Sequence, residues 1–193
     1  MHSRSIYAAF GRTACLTLIC VGGAAQADQL SLDINDDAAR LTYTHALAAG
    51  NTQVDASWLH HQDRGDVLAV GFQLIGNAAT ENKPINAGVG GRVIYVDVDG
   101  VNADGGGLAV GGFFDAKIPD YNRFGVGGHV YYAPDVLAFG DVSDALDISV
   151  YASYSVLREG EVYVGFRNVK ADFDGGGSFT FDTGIHVGFR LNF

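Results

Sequence analysis

The sequence predicts an all-β fold: a transmembrane antiparallel up-and-down β-barrel of about ten strands. Three observations lead there. First, apolar and polar residues alternate along segment after segment, with the period of two that puts strand side chains on opposite faces. In the last segment Phe179, Phe181, Thr183, Ile185, Val187, Phe189, Leu191 and Phe193 form one face. Ser178, Thr180, Asp182, Gly184, His186, Gly188, Arg190 and Asn192 form the other. Second, no run after Asp28 approaches the ~18 consecutive apolar residues of a spanning helix, yet the chain is 48% hydrophobic. A spanning strand takes only ~9–11 residues. Third, short Asn/Asp/Gly stretches separate the alternating runs, which is a hairpin signal.

The first 27 residues read as a secretory signal peptide. Arg4 and Arg12 supply positive charge, Ala14 to Val21 is apolar, and Ala25-Gln26-Ala27 is an A-x-A cleavage site. The apolar part is too short for a membrane anchor. Cys15 and Cys20 both fall in this segment, and the large Ile19 before Cys20 argues against lipidation. The mature chain, expected from Asp28, then has no thiol or disulfide. It must gain stability by closing a hydrogen-bonded sheet. The net charge of −10 argues against a nucleic-acid partner, because phosphate binding needs clustered Lys and Arg.

Residues 28–193 show no linker and read as one domain. The expected strands are Gln29–Ile34, Arg40–Ala48, Thr52–His61, Asp66–Ile75, Ile85–Asp97, Gly107–Ala116, Arg123–Tyr132, Asp144–Leu157, Glu161–Lys170 and Phe179–Phe193. Outward faces carry Leu30, Leu32 and Ile34; Leu41, Tyr43 and Leu47; Val54, Ala56 and Trp58; Leu68, Val70, Phe72 and Leu74. The register of Ile85–Asp97 is ambiguous. Placing Val89, Val93 and Tyr95 toward lipid turns Arg92 inward, the cheaper position for a charge. Asp97–Gly106, Lys117–Asn122 and Asp172–Gly177 read as loops or turns. Ala133–Ser143, interrupted by Pro134, reads as a loop or short helical turn at the barrel mouth. An even strand count leaves both termini on the periplasmic side; losing the weak first hairpin would leave eight strands.

Three stretches carry a family resemblance. They are Val89-Gly90-Gly91-Arg92-Val93, Gly127-Gly128-His129-Val130-Tyr131-Tyr132-Ala133-Pro134 with the following Val136-Leu137 and Phe139-Gly140-Asp141, and Val162-Tyr163-Val164-Gly165-Phe166-Arg167-Asn168. Together they resemble the YfaZ family of proteobacterial outer membrane proteins. The resemblance implies an outer membrane barrel without an assigned biochemical role, and it brings no catalytic residues.

The inward faces concentrate the candidate functional residues: Asp55, Arg92, His129, Asp147, Arg167, Asp182, His186 and Arg190. In a narrow barrel they would form a salt-bridged plug or line a narrow selective pore. Phe189, Leu191 and Phe193 resemble the C-terminal signal by which outer membrane barrels are recognised for assembly. A lipid-modifying enzyme is the alternative. Against it, Ser57 and His60 point to opposite faces, and Ser57 and His61 lie about 13 Å apart at ~3.3 Å per residue. No G-x-S-x-G motif occurs. Asp97, Asp99, Asn102 and Asp104 are hard oxygen ligands, but Gly100 falls at the wrong place for an EF-hand loop. Trp58, Tyr43, Tyr95, Tyr132 and Tyr154 suit interfacial aromatic girdles.

The expected protein is thus a monomeric outer membrane barrel, structural or narrow-pored. It needs no catalysis, cofactor or metal. Its partners are outer membrane lipids, lipopolysaccharide and the barrel assembly machinery. A surface receptor or adhesion barrel would place its site on the Asp-rich loops.

Overall fold

The computed structural model describes residues 28–47, 51–77, 85–99, 103–118, 121–175 and 177–193. The expected signal peptide, the Gly50 turn, residues 78–84, Gly100, Asn102 and Pro119 lie outside them. The strands are β1 (Asp28–Ile34), β2 (Ala38–Ala46), β3 (Thr52–His61), β4 (Gly65–Asn77), β5 (Ile85–Val98), β6 (Asp104–Ile118), β7 (Tyr121–Ala133), β8 (Ala138–Gly140), β9 (Val142–Ser155), β10 (Gly160–Phe173) and β11 (Gly177–Asn192). Ten of them pair in sequence as an antiparallel ring, with β7 next to β9 and β11 returning to β1. The short β8 follows a 3-10 turn at Asp135–Leu137 and continues the pairing along β6 where β7 leaves off. Two reciprocal backbone bonds between Asp28 and Phe193, 2.8 and 2.9 Å, fasten the first residue of the ring to the last. Closure satisfies the backbone without a free sheet edge, which a lipid environment demands.

Alternation survives around the ring. Inward residues register with inward residues from Ser57 opposite Thr42, through Asp147 opposite Tyr131, to Arg190 opposite Ser31. The outer wall is apolar: Leu32, Val70, Phe72, Leu74, Val89, Val110, Val164 and Val187 are all exposed. Trp58, Tyr95 and Tyr132 lie outward toward the end bearing the β1–β2 turn, and Tyr43 and Tyr154 toward the end bearing residues 28 and 193. Trp58 Nε1 donates to Asp66 (2.8 Å), Tyr95 to Asp104 (2.8 Å) and Tyr43 to Asp28 (2.7 Å). Trp58, Tyr95 and Tyr43 thus each have an apolar ring and a polar tip bonded at a rim, as at a membrane–water boundary.

One face of the last strand departs from simple alternation. Val169 pairs with Asp182 but Lys170 pairs with Thr180, so Phe181 is an extra residue in β11. This β-bulge turns two successive side chains the same way and bends the strand. Phe181 is fully buried, and Phe179 packs against the same core at a ring distance of 5.0 Å. The expectation that Phe179 and Phe181 face lipid is therefore corrected: they face the lumen. Several strands also run further than expected, whereas β9 ends at Ser155 rather than Leu157. β5 reaches Val98, β6 spans Asp104 to Ile118, β7 begins at Tyr121 and β10 ends at Phe173, which shortens three of the expected loops. The composition of Asp97–Gly106 places Gly105 and Gly106 in a loop, with Gly107 opening the next strand. There, the three glycines sit between β5 and β8, and a Cβ on Gly105 would come 2.6 Å from the Phe139 carbonyl oxygen.

Candidate functional site: the barrel lumen

The lumen is layered. At the β1–β2 turn end, inward residues are apolar and buried: Leu59 on β3, Val67 on β4, Ile94 and Val96 on β5, Ala133 on β7, Val142 on β9, Val169 on β10 and Phe181 on β11. Backbone bonds lace the turns above this layer. Gln62 donates to Asp37 (2.9 Å), Asp99 to Arg64 (3.3 Å), Asp141 to Asp104 (3.1 Å) and Asp174 to Asp141 (2.9 Å). The upper part of β11 leans over the mouth, where Arg64 Nη1 donates to the Thr180 carbonyl (3.0 Å) and Asn35 Nδ2 donates to Asp182 (2.7 Å). Asn35 is held for this role by an Asx-type turn, its Oδ1 accepting from the Ala38 N–H at 2.7 Å.

Below the apolar layer lies a network of ion pairs. Arg167 is 1% exposed and bridges Asp33 and Asp182. Asp147 accepts from Arg40 (3.2 Å), Arg92 (3.4 Å) and His129 (3.1 Å). Arg92 also pairs with Asp55 (2.9 Å) and lies 4.0 Å over the Tyr131 ring. Gln73 donates to Asp55, and Tyr163 OH donates to Asp33 (3.0 Å). Nearer the opposite end, Arg190 pairs with Asp115 (3.0 Å) and Glu161 (3.7 Å), over the rings of Tyr151 and Tyr163, and Lys117 joins Glu161. Buried charge is tolerated only when paired and hydrogen-bonded in this way.

What remains is a cup of about 410 Å³, lined by polar side chains from Arg40, Arg92 and Arg167 at its floor to Gln29, Gln53, Asn86 and Asn192 toward the residue 28/193 end. Large inward side chains fit so narrow a barrel because glycines lie opposite them. A Cβ on Gly188 would meet Tyr163 Cζ at 2.2 Å, and one on Gly111 would meet Tyr131 Cδ1 at 2.8 Å.

The eight lumen residues singled out from the sequence all point inward, and seven join this network. His186 is buried but makes no salt bridge among the described residues; its ring meets Tyr163 edge-on at 6.1 Å. Asp33, Arg40, Asp115, Lys117 and Glu161 belong to the network as well, though they were not among those eight. Asp33, Arg40, Asp115 and Glu161 sit in the inward phase of their expected strands, so the same alternation contained the signal; Lys117 joins them because β6 runs on to Ile118. Phe189, Leu191 and Phe193 lie outward and exposed at the end of β11. Ser57 lines the cup, whereas His61 is buried at the other end, its Nδ1 bonded to the Asp63 N–H (3.2 Å). His60 points outward and bonds Asp66 (3.0 Å). Asp97 and Asp104 face each other across β5 and β6. Among the described residues no group of three or more His, Cys, Asp or Glu side chains converges to hold a metal.

The outer membrane channel DcaP of Acinetobacter baumannii is similar over 83% of this chain and 54% of its own, at 16% identity and a TM-score of 0.38, so this chain spans about half its length. The KdgM porin, solved with disordered oligogalacturonate, is similar over 86% of this chain and 99% of its own, at 12% identity and a TM-score of 0.44. No curated protein matches the sequence. The profile of the YfaZ precursor family matches residues 8–193. The chain belongs to the YfaZ family.

Proposed function

We propose that the protein is an outer membrane barrel that conducts no solute: a structural or receptor-like element whose lumen is open at one end only. The observation that carries this reading is the apolar layer across the lumen, with Leu59, Val96 and Phe181 each no more than 1% exposed. A water column cannot pass through side chains packed to that degree. The termini lie on the periplasmic side, so the cup opens to the periplasm and the laced turns face outward. Lipids and lipopolysaccharide surround the apolar wall, and the chain acts as a monomer.

Planar-bilayer recordings on the folded protein test the closed lumen. No discrete conductance steps are expected. Steps that weaken when Arg92 or Arg190 is neutralised would instead establish a narrow pore. The absence of catalysis is supported by the separation of Ser57, which lines the cup, from His61, which is buried by the Asp63 turn. Incubation with lipopolysaccharide and phospholipid should leave both unchanged by mass analysis.

Phe193 carries a separate expectation. Its ring is exposed and contributes little to packing, but it ends the outward row that the assembly machinery would read. Deleting it should lower the amount of protein in the outer membrane fraction several-fold. Normal outer membrane levels would remove the assembly role.

A further inference from the structure

The cup has an unusual wall. Its arginines are each matched to a carboxylate: Arg40 to Asp147, Arg92 to Asp55 and Asp147, Arg167 to Asp33 and Asp182, and Arg190 to Asp115 and Glu161. An ionic ligand would have to compete with one of these pairs. The uncharged groups are different. Thr42, Thr44, Gln53, Ser57 and Asn86 line the cup and make no side-chain hydrogen bond among the described residues. Each hydroxyl or amide can both donate and accept. Among them sits Phe113, an aromatic ring only half-buried in a polar cavity. It lies against Gly88, where a Cβ would be 2.4 Å from Phe113 Cε1. Gly88 and its neighbour Ile75 complete an apolar platform beside Gln53 and Asn86.

An apolar ring face flanked by neutral two-way hydrogen-bonding groups, in a charge-compensated cavity, suits a ligand that is uncharged, rich in hydroxyls and apolar on one ring face. We propose that the cup binds the end of a short neutral saccharide, stacked on Phe113 and hydrogen-bonded by Gln53, Asn86, Thr42 and Thr44. The volume of about 410 Å³ falls within the roughly 300–1,000 Å³ of small-molecule sites. This inference rests on the one-ended lumen proposed above.

Titration calorimetry on the folded full-length protein, in a detergent without a sugar headgroup, tests it. The neutral probes are maltose and diacetylchitobiose; galacturonic acid and a neutral tripeptide are the contrasting ones. At least one neutral sugar should bind, with affinity unchanged by salt because no charge is screened. Phe113→Ala and Asn86→Leu should each weaken it by about tenfold or more, a loss of about 1.4 kcal/mol. Phe114→Ala, on the lipid side, should leave it unchanged, and heat-shifted gel migration reports folding of each variant. Gly88→Val, which displaces the Phe113 ring, gives a second route to the same loss. Binding of galacturonic acid or the tripeptide alone overturns the proposal. So does the absence of any sugar binding, or neutral-sugar binding indifferent to Phe113 and Asn86. A barrel that conducts yet binds neutral sugar refutes only the closed lumen; a silent barrel that binds none refutes only the saccharide site.

Discussion

Replacing Arg167 by methionine is expected to destabilise the barrel by about 3–5 kcal/mol. Arg167 is the largest fully buried side chain among the described residues, and it stands between the carboxylates of Asp33 and Asp182. Methionine fills much of the volume but leaves two buried negative charges facing each other, with Asn35 and Tyr163 as their remaining hydrogen-bond donors. The loss comes from stranding those charges rather than from the intrinsic worth of the ion pair. Adding Asp33→Asn and Asp182→Asn should therefore restore part of the stability. Arg167→Lys should not restore it fully, because one ammonium lacks the planar fork that serves two carboxylates. Urea unfolding followed by the fluorescence of Trp58, the single tryptophan, measures each effect. A loss below about 1 kcal/mol for Arg167→Met would show that the network is not needed for stability.

Replacing Phe181 by alanine is expected to cost about 3–5 kcal/mol, the usual range for truncating a buried aromatic. Phe181 is 0% exposed and packs inside the turn-end layer. Phe189→Ala, eight positions along the same strand but outward and 39% exposed, should cost less in the same assay. Strict alternation would put both rings on the lipid face and predict similar costs, so the comparison isolates the bulge. Because the described residues contain no cysteine, single-cysteine variants provide a second reading. Cysteine at position 181 should resist a lipid-phase maleimide, and cysteine at the exposed position 183 should react. Equal reactivity would mean that no bulge exists in the membrane.

The bulge also shows where local reading reaches its limit. Around Ile185 to Phe193 the alternating pattern was enough, since each outward residue is apolar and each inward one polar or glycine. At Phe181-Asp182 the same pattern misleads, because Phe179 and Phe181 look like the continuation of the lipid face. Only pairing with β10 reveals the extra residue. Glycine misled in a similar way. Gly105 and Gly106 have loop composition, yet they are paired strand whose missing side chains admit the β8 segment on one side and β5 on the other. The ion network was partly legible. Asp147 and Arg167 stand out within apolar runs, whereas Asp33, Arg40 and Glu161 sit near strand ends, where one strand alone does not show which partner an inward charge meets.

By itself the sequence determined the closed antiparallel barrel, the membrane-facing surface and the identity of most inward charges. All three follow from side-chain periodicity, a property of one strand at a time. The tertiary structure decided what the lumen is. Whether Leu59, Val96 and Phe181 meet, which arginine faces which carboxylate, and which end stays open depend on strand stagger and on how far β11 leans across the mouth. Those are relations between strands distant in sequence, joined only when the ring closes, and no local pattern encodes them.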